Sequence, residues 1–223
     1  MIPLRDVIPS RTTPYLTVTI IILNALAWFY ELALPRDVVP IFFQVYGVVP
    51  ADFRASTLIS SMFLHGSWMH VIGNMWYLWI FGDNVEDRMG HGRFLVFYLL
   101  CGIVAALGQV AIGPESTLPT IGASGAIAGV MGAYFVLYPH SRVLTVIPLI
   151  FIFMRVVELP AIVLLGFWFL MQLYNAGSVA STAGTHAGGG VAFMAHVAGF
   201  LAGVVGVFVF RKRQPDGRWV DEA

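Results

Sequence analysis

The chain has 223 residues, of which 58% are hydrophobic and only 11% are charged, and its mean hydropathy is +0.82. Because a soluble domain normally carries about 25% charged residues, this composition excludes an ordinary water-soluble protein and predicts a multi-pass membrane protein. The formal net charge is zero, so we expect no nucleic-acid partner. The single cysteine, Cys101, excludes an intramolecular disulfide.

Six apolar runs approach the length of about 20 residues that a helix needs to cross a bilayer. They cover residues 15–34, 62–82, 94–113, 121–138, 156–174 and 188–210. Residues 143–154 are apolar but too short to span, and we expect them to be interfacial or re-entrant. The sequence therefore predicts an all-α membrane protein, a six-helix bundle that forms one domain over residues 1–223, with short tails at 1–14 and 211–223.

The positions of lysine and arginine predict the orientation of the bundle. With the N-terminus inside, the inner segments hold Arg5, Arg11, Arg88, Arg93, Arg142, Arg155, Arg211, Lys212, Arg213 and Arg218, whereas the outer segments hold Arg36 and Arg54. This bias predicts that both termini are cytoplasmic and that the protein lies in the cell membrane. Of the outer segments, we expect residues 35–61 to pack on or in the outer leaflet. Residues 176–187, rich in small and polar side chains, should form a mobile loop.

A polar side chain in hydrocarbon is costly and usually has a partner or a function. Such residues occur in the second, fourth and sixth spans, all of which run from outside to inside: His65, His70, Asn74, Ser124 and His196. His196 lies eight residues into its span, or roughly 12 Å along a helix, and the others also lie toward the outer end. The sequence therefore predicts a serine, histidines and an amide at similar depth.

Small residues recur at helical spacing beside both Ser124 and His196. Ala128 and Gly132 share a helix face with Ser124, and Gly199 and Gly203 share one with His196. Small faces let helix backbones approach closely, and this would bring a serine hydroxyl within reach of an imidazole. Because the outer halves of these spans contain no Asp or Glu, the pattern favours a Ser-His dyad of nucleophile and base over a triad.

An oxyanion formed by such a dyad would need hydrogen-bond donors. His70 and Asn74 lie four residues apart on one helix face, and both can donate. The backbone N–H of Ser124 would be a third donor if a helix begins there.

Structural alternatives exist for each of these residues. Ser124 can be a packing residue, His196 an interhelical histidine, and His70 and Asn74 a pair that bonds across helices. We expect His65 to anchor the outer loop and His186 to be a solvated loop residue. The inner charges Asp83, Glu86, Asp87 and Arg88 are expected to form a solvated network. With no HExxH motif and no acidic ligand near the histidines, we expect no metal and no other cofactor.

Three stretches together carry a family resemblance: "GASGA" around Ser124, "AHVAGFLAG" around His196, and "HGSWMHVIGN" at residues 65–74. With them the chain resembles the rhomboid family of intramembrane serine proteases from about residue 15 to residue 210. The resemblance implies a six-helix bundle with a water-filled cavity open to the outside. It also implies Ser124 as nucleophile, His196 as general base, and His70 and Asn74 at the oxyanion site.

The resemblance further assigns the segments around the site. Residues 35–61 would be a partly membrane-embedded loop, residues 176–190 a cap, and the fifth helix a lateral gate for substrate. Two features depart from the family pattern. Ser56 and Thr57 occupy the place of a common Trp-Arg pair, and Phe53 and Arg54 lie three residues further upstream. Either the loop has a small insertion or this contact is missing, so Arg54 is left out of the site. Ala128 replaces a tyrosine that stacks on the catalytic histidine in some members, so another group must orient His196.

The function predicted from the sequence is hydrolysis of peptide bonds in or near transmembrane segments of other membrane proteins, through an acyl-enzyme. Its partners would be these substrates and the lipid bilayer. The alternative is a catalytically inactive rhomboid-like protein that binds membrane clients. The presence of both Ser124 and His196 favours the enzyme.

Overall fold

The computed structural model describes residues 1–150, 153–181 and 191–212. Long helices dominate these residues: α1 (Tyr15–Ala33), α4 (Trp68–Met89), α5 (His91–Ile112), α6 (Ser124–Leu137), α7 (Ala161–Ser181) and α8 (Phe193–Phe210). Two short helices, α2 (Val38–Tyr46) and α3 (Thr57–Ser60), lie in the first outer segment. The strands are β1 (Ile2–Asp6), β2 (Arg142–Ile150) and β3 (Phe153–Pro160).

Four of the described helices, namely α1, α5, α7 and α8, are long and apolar enough to cross a membrane. Helix α6 is also apolar but shorter, with 14 residues. Every residue of α6 from Gly125 to Tyr134 is buried, and the helix packs against α8, α5, α4 and α7. The helical membrane fold predicted from the sequence is therefore confirmed, with α6 at its centre.

Glycines hold α6 and α8 in backbone contact. A Cβ atom added to Gly199 would overlap the carbonyl oxygen of Gly125, and one added to Gly203 would overlap that of Gly129. A Cβ at Gly132 would in turn overlap the carbonyl oxygen of Phe200. The close approach predicted from small residues is present, but the face of α6 that makes it contains Gly125 and Gly129 rather than Ala128.

A three-stranded antiparallel sheet in the order β1-β2-β3 is the main feature that the sequence did not predict. Within the stretch 143–154, expected to be interfacial or re-entrant, residues 143–150 form most of β2 and residues 153–154 the start of β3. Helix α7 accordingly begins at Ala161 instead of near residue 156. The strands are rich in β-branched residues, which favour extended backbone, and β1 supplies a partner for β2 from the far end of the chain, pairing Ile2 with Val146.

The N-terminus of α1 is held by a buried carboxylate rather than by a solvated charge network. Glu86 is fully buried and accepts hydrogen bonds from the backbone N–H groups of Leu16 and Thr17 at 2.9 and 2.8 Å. It also accepts from the Thr17 hydroxyl at 2.7 Å and lies 2.6 Å from Nδ1 of His91. The expectation of solvated charges is wrong for Glu86, because its carboxylate caps the N-terminus of α1.

We expect Glu86→Ala to lower the free energy of unfolding by about 2 kcal/mol or more, because the buried N–H groups of α1 lose a charged acceptor. Thermal unfolding in detergent measures the effect. The matched control is Glu158→Gln, which removes an exposed carboxylate 3.9 Å from Arg142 and should change stability by less than about 1 kcal/mol. A Glu86→Ala protein as stable as the wild type would contradict the capping role.

The sheet is tied to the central helix through Asp6. Its Oδ2 accepts a hydrogen bond from the Tyr134 hydroxyl at 2.7 Å, and that hydroxyl lies 3.1 Å from Oγ of Ser141. Desolvation by burial raises the pKa of Asp6 from 3.8 to about 6, although the Tyr134 hydrogen bond opposes the rise. Folding therefore favours the protonated carboxyl of Asp6.

Because the pKa of Asp6 is higher in the folded than in the unfolded chain, its contribution to stability is greatest below pH 4 and is lost as the pH rises through 6. We expect Asp6→Asn to raise the unfolding temperature at pH 7 and to flatten its pH dependence between pH 4 and 6. The control is Asp52→Asn, in residues 35–61, which should leave the pH dependence of the unfolding temperature unchanged. A wild-type slope in Asp6→Asn would contradict this assignment.

Candidate active site

Ser124 and His196 lie within hydrogen-bond distance of each other. Helix α6 begins at Ser124, and Oγ of Ser124 is 2.8 Å from Nε2 of His196 on α8. The pair sits beside the contact between Gly125 and Gly199. The register of the two glycine faces thus places the hydroxyl against the imidazole.

The other ring nitrogen of His196 faces α7. Nδ1 of His196 lies 2.9 Å from Oε1 of Gln172. Because an amide oxygen can only accept, this contact is a hydrogen bond when Nδ1 carries the proton, and Nε2 then offers its lone pair to the Ser124 hydroxyl. The indole ring of Trp168 lies 5.8 Å from the imidazole, centroid to centroid.

Sequence reasoning did not single out Gln172 or Trp168 for this position. The available signal was an amide in the middle of the apolar helix α7, four residues after Trp168 and therefore on the same face. Ala128, which takes the place of a stacking tyrosine, is fully buried. The side chains that contact the His196 ring at this side thus come from α7 rather than from α6.

His70 and Asn74, on α4, border the backbone just before Ser124. A Cβ atom added to Gly122 would lie 2.6 Å from Nε2 of His70 and 3.7 Å from Nδ2 of Asn74. Gly122 also has a φ of +119°, a backbone angle that residues other than glycine rarely adopt. The glycine that opens "GASGA" therefore lets the chain turn into α6 while lying against both predicted donors.

His65 holds Asn74 in place. Nδ2 of Asn74 lies 2.9 Å from Nε2 of His65, which is fully buried. The backbone N–H of His65 donates to the Glu31 carboxylate at 3.2 Å, and the His65 ring packs edge-on against His70 with centroids 4.9 Å apart. Glu31, near the end of α1, is a buried acid that the sequence reasoning did not single out.

A cavity of about 30 Å³ lies beside Ser124 and is also lined by Ser61, Gly122, Ala192 and Ala195. This volume is sufficient for a water molecule. The first N–H groups of α6 have no partner within their own helix, and they begin at Ser124. The site therefore combines a hydroxyl, an imidazole, nearby donors and room for water.

Two further predictions from the sequence concern residues 176–187 and Arg54. The predicted loop at residues 176–187 is helical at its start, because α7 extends to Ser181, whereas His186 lies outside the described residues. Arg54 donates to the carbonyl of Gln44 at 3.0 Å and lies 3.2 Å from Oδ2 of Asp52. It thus connects parts of the first outer segment.

The arrangement has the chemistry of covalent catalysis by an activated serine. The imidazole can remove the proton from Oγ, and the oriented Nδ1–H keeps Nε2 available for it. The side chains of His70 and Asn74, beside Gly122, are groups that can donate hydrogen bonds to a negatively charged oxygen.

Comparison with known proteins shows which family the chain resembles. Residues 52–213 match the model of the Rhomboid domain. The chain is 29% identical over 196 residues to "Rhomboid protein 1, mitochondrial" of Saccharomyces cerevisiae, covering 80% of this chain and 51% of that protein. It is 28% identical over 202 residues to "Rhomboid-like protein 11, chloroplastic" of Arabidopsis thaliana, covering 85% and 66%.

A third relative is "Rhomboid protease GluP" of Bacillus subtilis, which is 32% identical over 132 residues, or 57% of this chain and 24% of that protein. The chain thus spans about half to two thirds of the length of the first two relatives and a smaller part of the third. Because the Rhomboid domain covers most of its length, the chain belongs to the rhomboid family.

Proposed function

We propose that this protein is an intramembrane serine endopeptidase that hydrolyses peptide bonds in or near transmembrane segments of other membrane proteins. The observation that carries the proposal is the 2.8 Å contact between Oγ of Ser124 and Nε2 of His196. Membership of the rhomboid family supports it, as does the similarity to a Bacillus subtilis protein named a protease.

In the proposed mechanism, Oγ of Ser124 attacks the substrate carbonyl carbon while Nε2 of His196 takes the hydroxyl proton. The resulting oxyanion accepts hydrogen bonds from His70, Asn74 and the backbone N–H of Ser124. Collapse of this intermediate breaks the C–N bond, and His196 returns its proton to the leaving amine. A water molecule, deprotonated by His196, then hydrolyses the acyl-enzyme and regenerates the Ser124 hydroxyl.

The proposed setting is the cell membrane, with both termini cytoplasmic and the dyad toward the outer face. The distribution of lysine and arginine supports this orientation. Substrate would approach from the lipid past α7, which lies at the edge of the bundle and packs mainly on α8 and α6. On α7, the Phe169 ring stacks on the Phe200 ring of α8, with 4.7 Å between ring centroids. The side chain of Phe167, also on α7, is half exposed.

We expect Ser124→Ala and His196→Ala each to abolish cleavage of a model transmembrane substrate in detergent, and to leave the unfolding temperature nearly unchanged. The double variant should be no less active than either single one, because loss of one member already disables the unit. A fluorophosphonate should modify Ser124 of the wild-type protein, as mapped by mass spectrometry.

Full activity in either single variant would refute the dyad. A folded wild-type protein that neither cleaves substrate nor reacts with the fluorophosphonate would instead support a client-binding protein without catalytic activity.

Asn74→Ala should lower kcat by about 10²- to 10³-fold and change KM little, because an oxyanion donor acts mainly in the transition state. Steady-state kinetics on the same substrate measure this, and the rate of fluorophosphonate labelling should fall as well. Because Asn74 also bonds to His65, the unfolding temperature is the necessary control. Unfolding of Asn74→Ala at room temperature, with normal labelling of its folded fraction, would show that Asn74 is a structural contact only.

A further inference from the structure

We propose that Gln172 is the positioning residue of the dyad. Its side chain sets the tautomer of His196, so the catalytic activity of the site depends on α7 remaining packed against α8. The inference rests on the proposed function and deepens it. It starts from the contact of 2.9 Å between Nδ1 of His196 and Oε1 of Gln172.

A neutral imidazole has two tautomers, and only the one protonated at Nδ1 can accept a proton at Nε2. The hydrogen bond at the other nitrogen decides which tautomer is present. In this site the Gln172 amide oxygen provides that bond. An amide suits this place because a carboxylate buried among apolar helices carries a large desolvation cost.

The acceptor belongs to α7, whereas the nucleophile and base belong to α6 and α8. Trp168, one turn before Gln172, lies 5.8 Å from the His196 ring and 6.1 Å from the ring of Phe200, between centroids. Moving α7 away from α8 would therefore remove both the aromatic neighbour and the acceptor from His196. The dyad is held in its reactive form only while α7 is docked on α8.

The two roles of α7 predict opposite changes in turnover. If α7 were only a barrier to substrate, weakening its contacts to α8 would raise turnover. If Gln172 also orients the base, removing its amide oxygen lowers turnover even though the barrier is weaker. A substitution at Gln172 therefore separates the two roles of α7.

The kinetic test compares Gln172→Leu, which has similar size but no acceptor, with Gln172→Glu, which keeps an acceptor oxygen. Gln172→Leu should lower kcat by about 10- to 100-fold, because part of the imidazole adopts the wrong tautomer, with KM changed by less than about twofold. Gln172→Glu should recover part of the lost kcat, because a carboxyl oxygen can still accept from Nδ1, and the cost of burying the carboxyl should appear as a lower unfolding temperature. The control is Leu173→Ala, an exposed neighbour on the same helix, which should keep wild-type kcat.

A second measurement does not depend on activity. In protein labelled with ¹⁵N-histidine, the shifts of the two ring nitrogens report the tautomer, and His196→Gln identifies the signal of His196. The wild-type protein should show a proton on Nδ1 of His196, and Gln172→Leu should shift this signal toward the other tautomer.

Wild-type kcat in Gln172→Leu, or a His196 signal that is the same with and without the Gln172 amide, would overturn the positioning role. Failure of the proposed function has a different signature, since an inactive wild-type protein would lack both cleavage and fluorophosphonate labelling. The tautomer measurement would still report on Gln172 in that case.

Discussion

The close approach of α6 to α8 is the constraint on which the rest of the structure depends. The carbonyl oxygens of Gly125 and Gly129 on α6 lie where a Cβ atom on Gly199 or Gly203 of α8 would be. Only at this separation does a serine side chain of one carbon and one oxygen reach the ring of His196. A single added methyl group at this contact would push the helices apart and thereby separate the dyad.

Several polar contacts within the bundle fasten one element to another. Glu86 caps α1, and Asp6 fastens the sheet to α6. Beside the candidate site, Glu31 holds the backbone of His65, whose ring in turn contacts Asn74. Because an unpaired polar group in hydrocarbon is costly, these contacts hold the frame in which α4, α6 and α8 present their side chains.

Much of the fold and of the candidate site was predictable, because the signals are local. Apolar runs mark the helices, and the depth of Ser124, His196, His70 and Asn74 follows from counting along each run at 1.5 Å per residue. The glycine spacing on α8 predicts a close helix neighbour. The sheet was missed because β2 is nearly as apolar as a membrane segment, and because its partner β1 lies about 140 residues away along the chain.

The sequence by itself determined that this is a helical membrane protein of rhomboid type, and which hydroxyl, imidazole and amide lie at a common depth. Only the tertiary structure decided that α7 supplies Gln172 to His196, that Gly122 lies against His70 and Asn74, and that Glu86 is a buried cap rather than a solvated charge. The physical reason is that depth and helix face repeat along one segment. Which side chains meet between segments depends on how the helices are rotated and packed against one another.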